Sequence, residues 1–255
     1  VLAPTPTFYS RNIKYNTHDV TKIISEGDNA IAIALGNGRF FNLRTGHEGT
    51  RFQNHFGFPK MLLQLEIDYT DGTRQTIVSD NSWKVTADGP IVANSEYDGE
   101  EYDARKELTG WDKPGYNDSQ WIQAEQVDAP GGVLEAQLNK NIRIMETLKP
   151  VAVTESGPGI YILDMGQNMV GWLRMKVSGK EGEQVKLRFA ETVRDGSIYT
   201  DNLLGALVTD IYTLKGDGRE VWEPTFTYHG FRYVEITGFP GIPTIDHFEG
   251  QVIYD

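Results

Sequence analysis

The chain has 255 residues, 24 Lys plus Arg against 36 Asp plus Glu, and no cysteine. The net charge of −12 disfavours nucleic acid or an anionic membrane surface as a partner and favours a neutral ligand. The missing thiols exclude disulfide scaffolds, thiolate zinc sites and cysteine nucleophiles, while 39% apolar content is enough for real cores.

No apolar run approaches the ~20 residues that span a bilayer, and the first residues carry no charged, apolar, small-residue signal pattern, so a soluble chain is expected. In chain order, residues 19–25 predict one capped helical turn, opened by Asp19 and ended by Gly27. Residues 30–35 alternate as a strand, after which Phe40 and Phe41 are expected in the core. Residues 61–69 and 73–78 predict a hairpin through Asp71-Gly72, because glycine takes the positive φ of a tight turn. Trp111 and Trp121 flank a turn and are expected to plug one end of a sandwich, with a boundary near Gly131-Gly132. Further strands are predicted at 142–146, 161–163, 172–177, 185–189 and 210–214. The aromatic run from Phe226 to Ile236 reads as a central strand, with Phe226 and Tyr228 on one face and a bend at Gly230. The fold class is therefore all-β: two tandem antiparallel β-sandwiches, residues 1–132 and 133–255.

Three groups of polar residues are candidates for chemistry. The stretch Glu96 to Asp103 would suit calcium, which takes hard oxygen ligands, or a sugar held by acidic acceptors beside an aromatic ring; a solvated loop is the plain alternative. Asp164 and Glu191 have the residue type of a glycosidase carboxylate pair, yet both sit where a carboxylate commonly accepts backbone N–H groups or pairs with Arg188 or Arg232. His229 lies near Arg232 with no serine or cysteine motif, which favours packing or hydrogen bonding over general-base work. The five histidines, at 18, 47, 55, 229 and 247, lack zinc-ligand spacing.

The motifs Asp164-Met165-Gly166-Gln167-Asn168, Arg188-Phe189-Ala190-Glu191 and Tyr228-His229-Gly230-Phe231-Arg232-Tyr233 resemble the β-sandwich that precedes the catalytic barrel of bacterial α-L-rhamnosidases. Leu35-Gly36-Asn37-Gly38, Asp88-Gly89-Pro90-Ile91 and the run from Tyr97 to Arg105 resemble the N-terminal sandwich of the same enzymes. The resemblance implies a jelly-roll or galactose-binding-like sandwich followed by a concanavalin-like one. It further implies that the acid and base carboxylates lie on an (α/α)6 barrel beyond residue 255, and that a strand and turn precede Val1. No catalytic residue is then expected within the chain, whose partners would be its own barrel and a rhamnose-containing glycan. The parent protein would hydrolyse terminal α-L-rhamnose with inversion and be secreted or periplasmic. Family members that bind rhamnose with calcium in loops at one sandwich end make Asn37, Asp98 and Glu100 the expected calcium ligands. The sugar would meet Asn37, Arg39, Tyr97, Asp98 and Glu100. Arg39 and Phe40 depart from the family's Trp and Tyr, which weakens the stacking platform. No cofactor beyond that possible calcium is implied. A missing strand would leave open edges that favour a homodimer. Purely structural domains, or a small glycosidase using Asp164 and Glu191, are the alternatives.

Overall fold

The computed structural model describes residues 4–41 and 57–255. His47 and His55 lie outside them. The first part carries β1 (Asn12–Tyr15), β2 (Gln64–Asp68), β3 (Arg74–Val78), β4 (Lys84–Val85), β5 (Ile91–Ser95), β6 (Gly99–Asp103), β7 (Ile122–Gln123) and β8 (Val133–Ala136). The second carries β9 (Arg143–Leu148), β10 (Ala152–Gly157), β11 (Ile160–Ser178), β12 (Gln184–Ala190), β13 (Thr192–Arg194), β14 (Ser197–Tyr199), β15 (Thr209–Thr213), β16 (Arg219–Trp222), β17 (His229–Thr237) and β18 (Phe248–Tyr254). Helical structure among the described residues is limited to short 3-10 turns, and no helix is long and apolar enough to cross a membrane. The chain is all-β, with curled sheets in β-sandwich arrangement.

Ten strands form one curled sheet in the order β5-β6-β15-β12-β17-β11-β18-β9, with β10 and β16 also pairing with β11. The sequence builds it by period-two alternation. In β12, Val185, Leu187 and Phe189 are buried while Gln184, Lys186 and Arg188 face out. β17 is central, as its aromatic run predicts, although the ladder starts at His229 and leaves Phe226 and Tyr228 before it. The two strands predicted at 161–163 and 172–177 are one strand, β11. It changes partners along its length: β10 and then β18 take one side, while β17, up to Gly171, and then β16 take the other. Between Asp164 and Met169 its register with β17 shifts, the kind of bulge that lets a strand turn from one layer to the next. At Gly171 a Cβ would stand 1.8 Å from the Gln251 carbonyl oxygen, so only glycine permits β18 to come this close.

The buried apolar residues run from Ala104 to Ile253, and among the described residues none precedes Ala104. Phe189 and Phe231 meet edge to face at 4.8 Å, and Tyr212 stacks on Trp222 at 5.1 Å. Trp172 and Trp222 are core residues. The first part has three two-stranded ladders, β1 with β8, β2 with β3 and β4 with β7. β2 and β3 are the predicted hairpin, with Gly72 at φ +88. Residues 30–35 carry no ladder; Ile31, Ile33 and Leu35 instead line a broad cleft. The predicted helical turn at 19–25 closes only one turn, with Val20 O accepting from Ile23 N–H at 2.8 Å. Phe40 and Phe41 are half-buried, against Tyr9 and Phe58 respectively. Trp111 and Trp121 pack 6.5 Å apart, with Tyr116 edge-on to Trp121.

The hairpin β5–β6 crosses from the first part into the large sheet, where β6 runs parallel to β15. The join is polar and fully buried. Glu100 has no exposed surface; its carboxylate accepts N–H groups from Thr225 at 3.0 Å and Phe226 at 2.8 Å. Its own N–H donates to Asp210 Oδ1 at 3.0 Å, and the same oxygen lies 3.0 Å from His229 Nε2. The Phe189 ring covers the imidazole at 4.2 Å. Gly99 makes the approach possible, because a Cβ there would be 2.1 Å from the Thr209 carbonyl oxygen.

Burial pushes the Glu100 carboxyl up to about 7, with the Thr225 and Phe226 N–H groups opposing and the Asp210 charge adding. Its folded value lies above its unfolded value, so its contribution is complete below the usual carboxylate range and is lost as pH rises through about 7. The Asp103, Asp164 and Glu249 carboxyls are lowered, so the stability they contribute is present above the usual carboxylate range and is lost only as pH falls into acid. Urea unfolding of the chain should therefore show a loss of order 3 kcal/mol from pH 5 to pH 8, and Glu100→Gln should flatten that dependence. An identical pH profile in the variant would remove Glu100 as its source. By the same measurement Phe231→Ala should cost about 3–5 kcal/mol, whereas Phe8→Ala, at a position 76% exposed, should cost under about 0.5 kcal/mol.

Candidate functional site

The turn at Gly36-Asn37-Gly38 and the segment from Asn94 to Asp98 meet beside Phe226. Gly36 packs against that ring so closely that a Cβ would be 2.4 Å from it. Asn37 is tied to Asn94 twice: its N–H donates to Asn94 Oδ1 at 2.8 Å and its Nδ2 donates to the Asn94 carbonyl at 2.9 Å. Two residues on, Arg39 Nε lies 3.0 Å from Glu96 Oε1, with the guanidinium side chain 56% exposed and the carboxylate 13% exposed. Glu96 raises the Arg39 pKa, with the Tyr97 and Tyr228 hydroxyls adding to the effect. The hydroxyls of Tyr9 and Tyr228 are pushed up by burial and next by Glu96. Arg39, Glu96 and the three tyrosines thus form one neighbourhood, and all but Tyr97 line a cleft of about 1850 Å³ that Trp83, Trp111 and Trp121 also line.

This crevice has the elements that hold a polyol: a fork of N–H donors, a carboxylate acceptor and aromatic faces. It gathers Asn37, Arg39 and Tyr97 from the expected set. The other two point elsewhere. Asp98 Oδ1 accepts the Leu207 N–H at 3.1 Å, and Glu100 is the buried carboxylate of the β6–β15 join. Among the described residues no three carboxylate or imidazole side chains stand together as a metal cage. With Asn37 Nδ2, Asp98 and Glu100 each engaged separately, these three residues do not fit a calcium site. Sequence reading missed Glu96, Tyr9 and Tyr228. Glu96 lies within the acidic stretch it singled out, but nothing local ties Tyr9 or Tyr228 to that stretch.

Asp164 and Glu191 are held as bases of structure. Arg232 donates to both Asp164 oxygens, at 2.9 and 3.0 Å, and the Gly166 N–H adds a third bond at 2.7 Å. The Arg232 hydrogen bonds hold the Asp164 carboxyl below its usual range. Glu191 accepts from Asn168 Nδ2 at 2.9 Å. Glu100, the carboxyl that burial raises, has no exposed surface from which to protonate a leaving group.

Comparison with known proteins matches the chain in two successive stretches. The profile of the alpha-L-rhamnosidase N-terminal domain matches residues 1–146, and that of the bacterial alpha-L-rhamnosidase concanavalin-like domain matches residues 154–254. An alpha-L-rhamnosidase of Streptomyces avermitilis is 45% identical over 99% of this chain, which covers 24% of that protein. The structure of that organism's alpha-L-rhamnosidase complexed with L-rhamnose superposes with a TM-score of 0.89 at 42% identity, over 99% of this chain and 24% of the other. The alpha-L-rhamnosidase of Dictyoglumus thermophilum gives a TM-score of 0.89 at 41% identity, over 100% of this chain and 28% of that one. The chain thus spans about a quarter of the length of the relatives it matches. It belongs to the bacterial α-L-rhamnosidase family, as the part made of the N-terminal and concanavalin-like domains.

Proposed function

We propose that this chain is a non-catalytic part of a longer α-L-rhamnosidase, which removes terminal α-L-rhamnose from glycans with inversion. The observation that carries this reading is the state of its carboxylates beside its coverage of only a quarter of its relatives. A glycosidase needs one carboxyl kept protonated near the sugar and another free to act opposite it. Here Asp164 is clamped ionised and Glu100 is sealed. The acid and base belong on the (α/α)6 barrel, which the two domains brace. The natural setting of the parent is secreted or periplasmic, and its open edges suit a homodimer.

Within that role, the first domain holds a rhamnose-containing glycan in the Arg39 crevice. Arg39 and Glu96 would take the ring hydroxyls, while the neighbouring tyrosines cover the sugar's apolar face. Calorimetric titration of an aryl α-L-rhamnoside should give weak saturable heat, unchanged by calcium or chelator and without the continuous heat of turnover. Arg39→Ala should weaken the affinity about tenfold, or 1.4 kcal/mol. A flat titration would leave a structural brace alone. Steady turnover abolished by Glu191→Gln would overturn the non-catalytic assignment.

A further inference from the structure

The outer face of the large sheet holds a second arrangement of polar groups, well away in sequence from the Arg39 crevice. Lys186 and Arg188 project from β12 on the side opposite its buried residues. Directly across on β17 stand Thr237 and Glu235, and across on β15, opposite Arg188, stands Thr209. Residues directly opposite on paired strands share a face, so these five side chains surround one depression of about 280 Å³, with Leu207 at its rim.

Its charges are not spent on each other. Arg188 and Glu235 are cross-strand neighbours, the placement in which opposite charges normally pair, yet no ion pair joins them among the described residues. Arg188 instead sends one Nη2 bond to Thr200 Oγ1 at 3.1 Å. Lys186 and Glu235 make no hydrogen bond or ion pair among the described residues. Lys186 and Arg188 lie two residues apart on one face, about 7 Å along the strand, with no anion between them.

The rim is built at a cost. Leu204 and Val208 adopt left-handed backbone, at φ 51 and φ 44, and a β-branched residue there is strained. Hydrogen bonds from both sides keep the loop in place. Val208 N–H donates to the Tyr97 carbonyl at 3.2 Å, Leu207 N–H to Asp98 Oδ1 at 3.1 Å, and the Val208 carbonyl accepts from Phe189 N–H at 3.0 Å. This pinned loop sets Leu207, 49% exposed, beside the polar floor.

We infer that this depression is a binding site for a single acidic sugar residue, a uronate. The carboxylate takes the two unpaired cations Lys186 and Arg188. Ring hydroxyls donate to Glu235 and to Thr209, whose own hydroxyl hydrogen goes to the Leu207 carbonyl at 2.7 Å, and exchange hydrogen bonds with Thr237, while Leu207 covers an apolar ring edge. The two adjacent cations select this ligand over a neutral sugar, although Glu235 stands beside them, Glu101 lies on the same face across Ile211 and the chain as a whole is acidic.

The test is an NMR chemical-shift titration of the chain with D-galacturonate at low ionic strength, with methyl α-D-galactoside as the neutral probe. Saturable shifts on β12 and β17 are expected for the uronate, with affinity about tenfold or more above that for the galactoside. Lys186→Met and Arg188→Gln should each weaken the uronate by a similar factor while leaving the Arg39 crevice's response to an aryl α-L-rhamnoside unchanged. Lys186 is exposed and unpaired, so its variant should keep the unfolding midpoint and remain a fair test. Equal affinity for both sugars, or undiminished uronate binding in Lys186→Met, would overturn the assignment. So would binding by this chain that vanishes in a longer α-L-rhamnosidase containing it, since the face would then belong to an internal interface.

Discussion

A carboxylate with no exposed surface holds the two parts of this chain together. Glu100 cannot be left alone in that position, because an unpaired buried charge is among the most unfavourable groups a protein can contain. The N–H groups of Thr225 and Phe226, just ahead of the central strand, supply its partners. Asp210 and His229 extend the same polar join from β15 to β17, and Thr227 Oγ1 adds a bond to the Ser95 carbonyl at 2.9 Å. Such a network tolerates one arrangement only, so it fixes the β5–β6 hairpin in register as no apolar contact would.

Both crevices depend on that hairpin. Asn94 and Glu96 reach back from it to Asn37 and Arg39, while Tyr97 and Asp98 reach forward to the loop that carries Leu207. One short segment therefore organises a crevice in the first part and a depression on the outer face of the second. Its acidic character has a structural origin as well as a chemical one. Of its carboxylates, Glu100 and Asp98 accept backbone N–H groups that would otherwise go unsatisfied, and Asp103 is paired with Arg105 at 2.8 Å.

The second part owes its rigidity to β11, which threads the sheet from β10 to β16 and changes direction at the bulge after Asp164. The bulge explains why Asp164 and Arg232 meet. The register shift takes residues 165–168 out of the ladder with β17, and the bidentate pair lies beside them. The same geometry holds the carboxylate ionised, and so a residue whose type suggests hydrolysis serves to turn a strand.

The sequence alone determined the all-β class, the β2–β3 hairpin and the alternating strands of the core. Each depends on local pattern: period-two burial in Val185, Leu187 and Phe189, or a positive φ at Gly72. It also carried the family resemblance, because motifs such as Asp164 to Asn168 are contiguous. Residues 30–35 show the limit of that reading. Their alternation is sound, but a strand needs a backbone partner, which local pattern does not supply. The site residues divide on the same principle. Asn37, Arg39 and Tyr97 entered the candidate set through the family resemblance, because they lie in or beside contiguous motifs. Tyr9 and Tyr228 join them only because the chain folds back, and Glu100 leaves the set because β6 pairs with a strand more than a hundred residues later. Whether a carboxylate faces solvent or seals a join is decided by what packs over it, and that is a property of the tertiary structure alone.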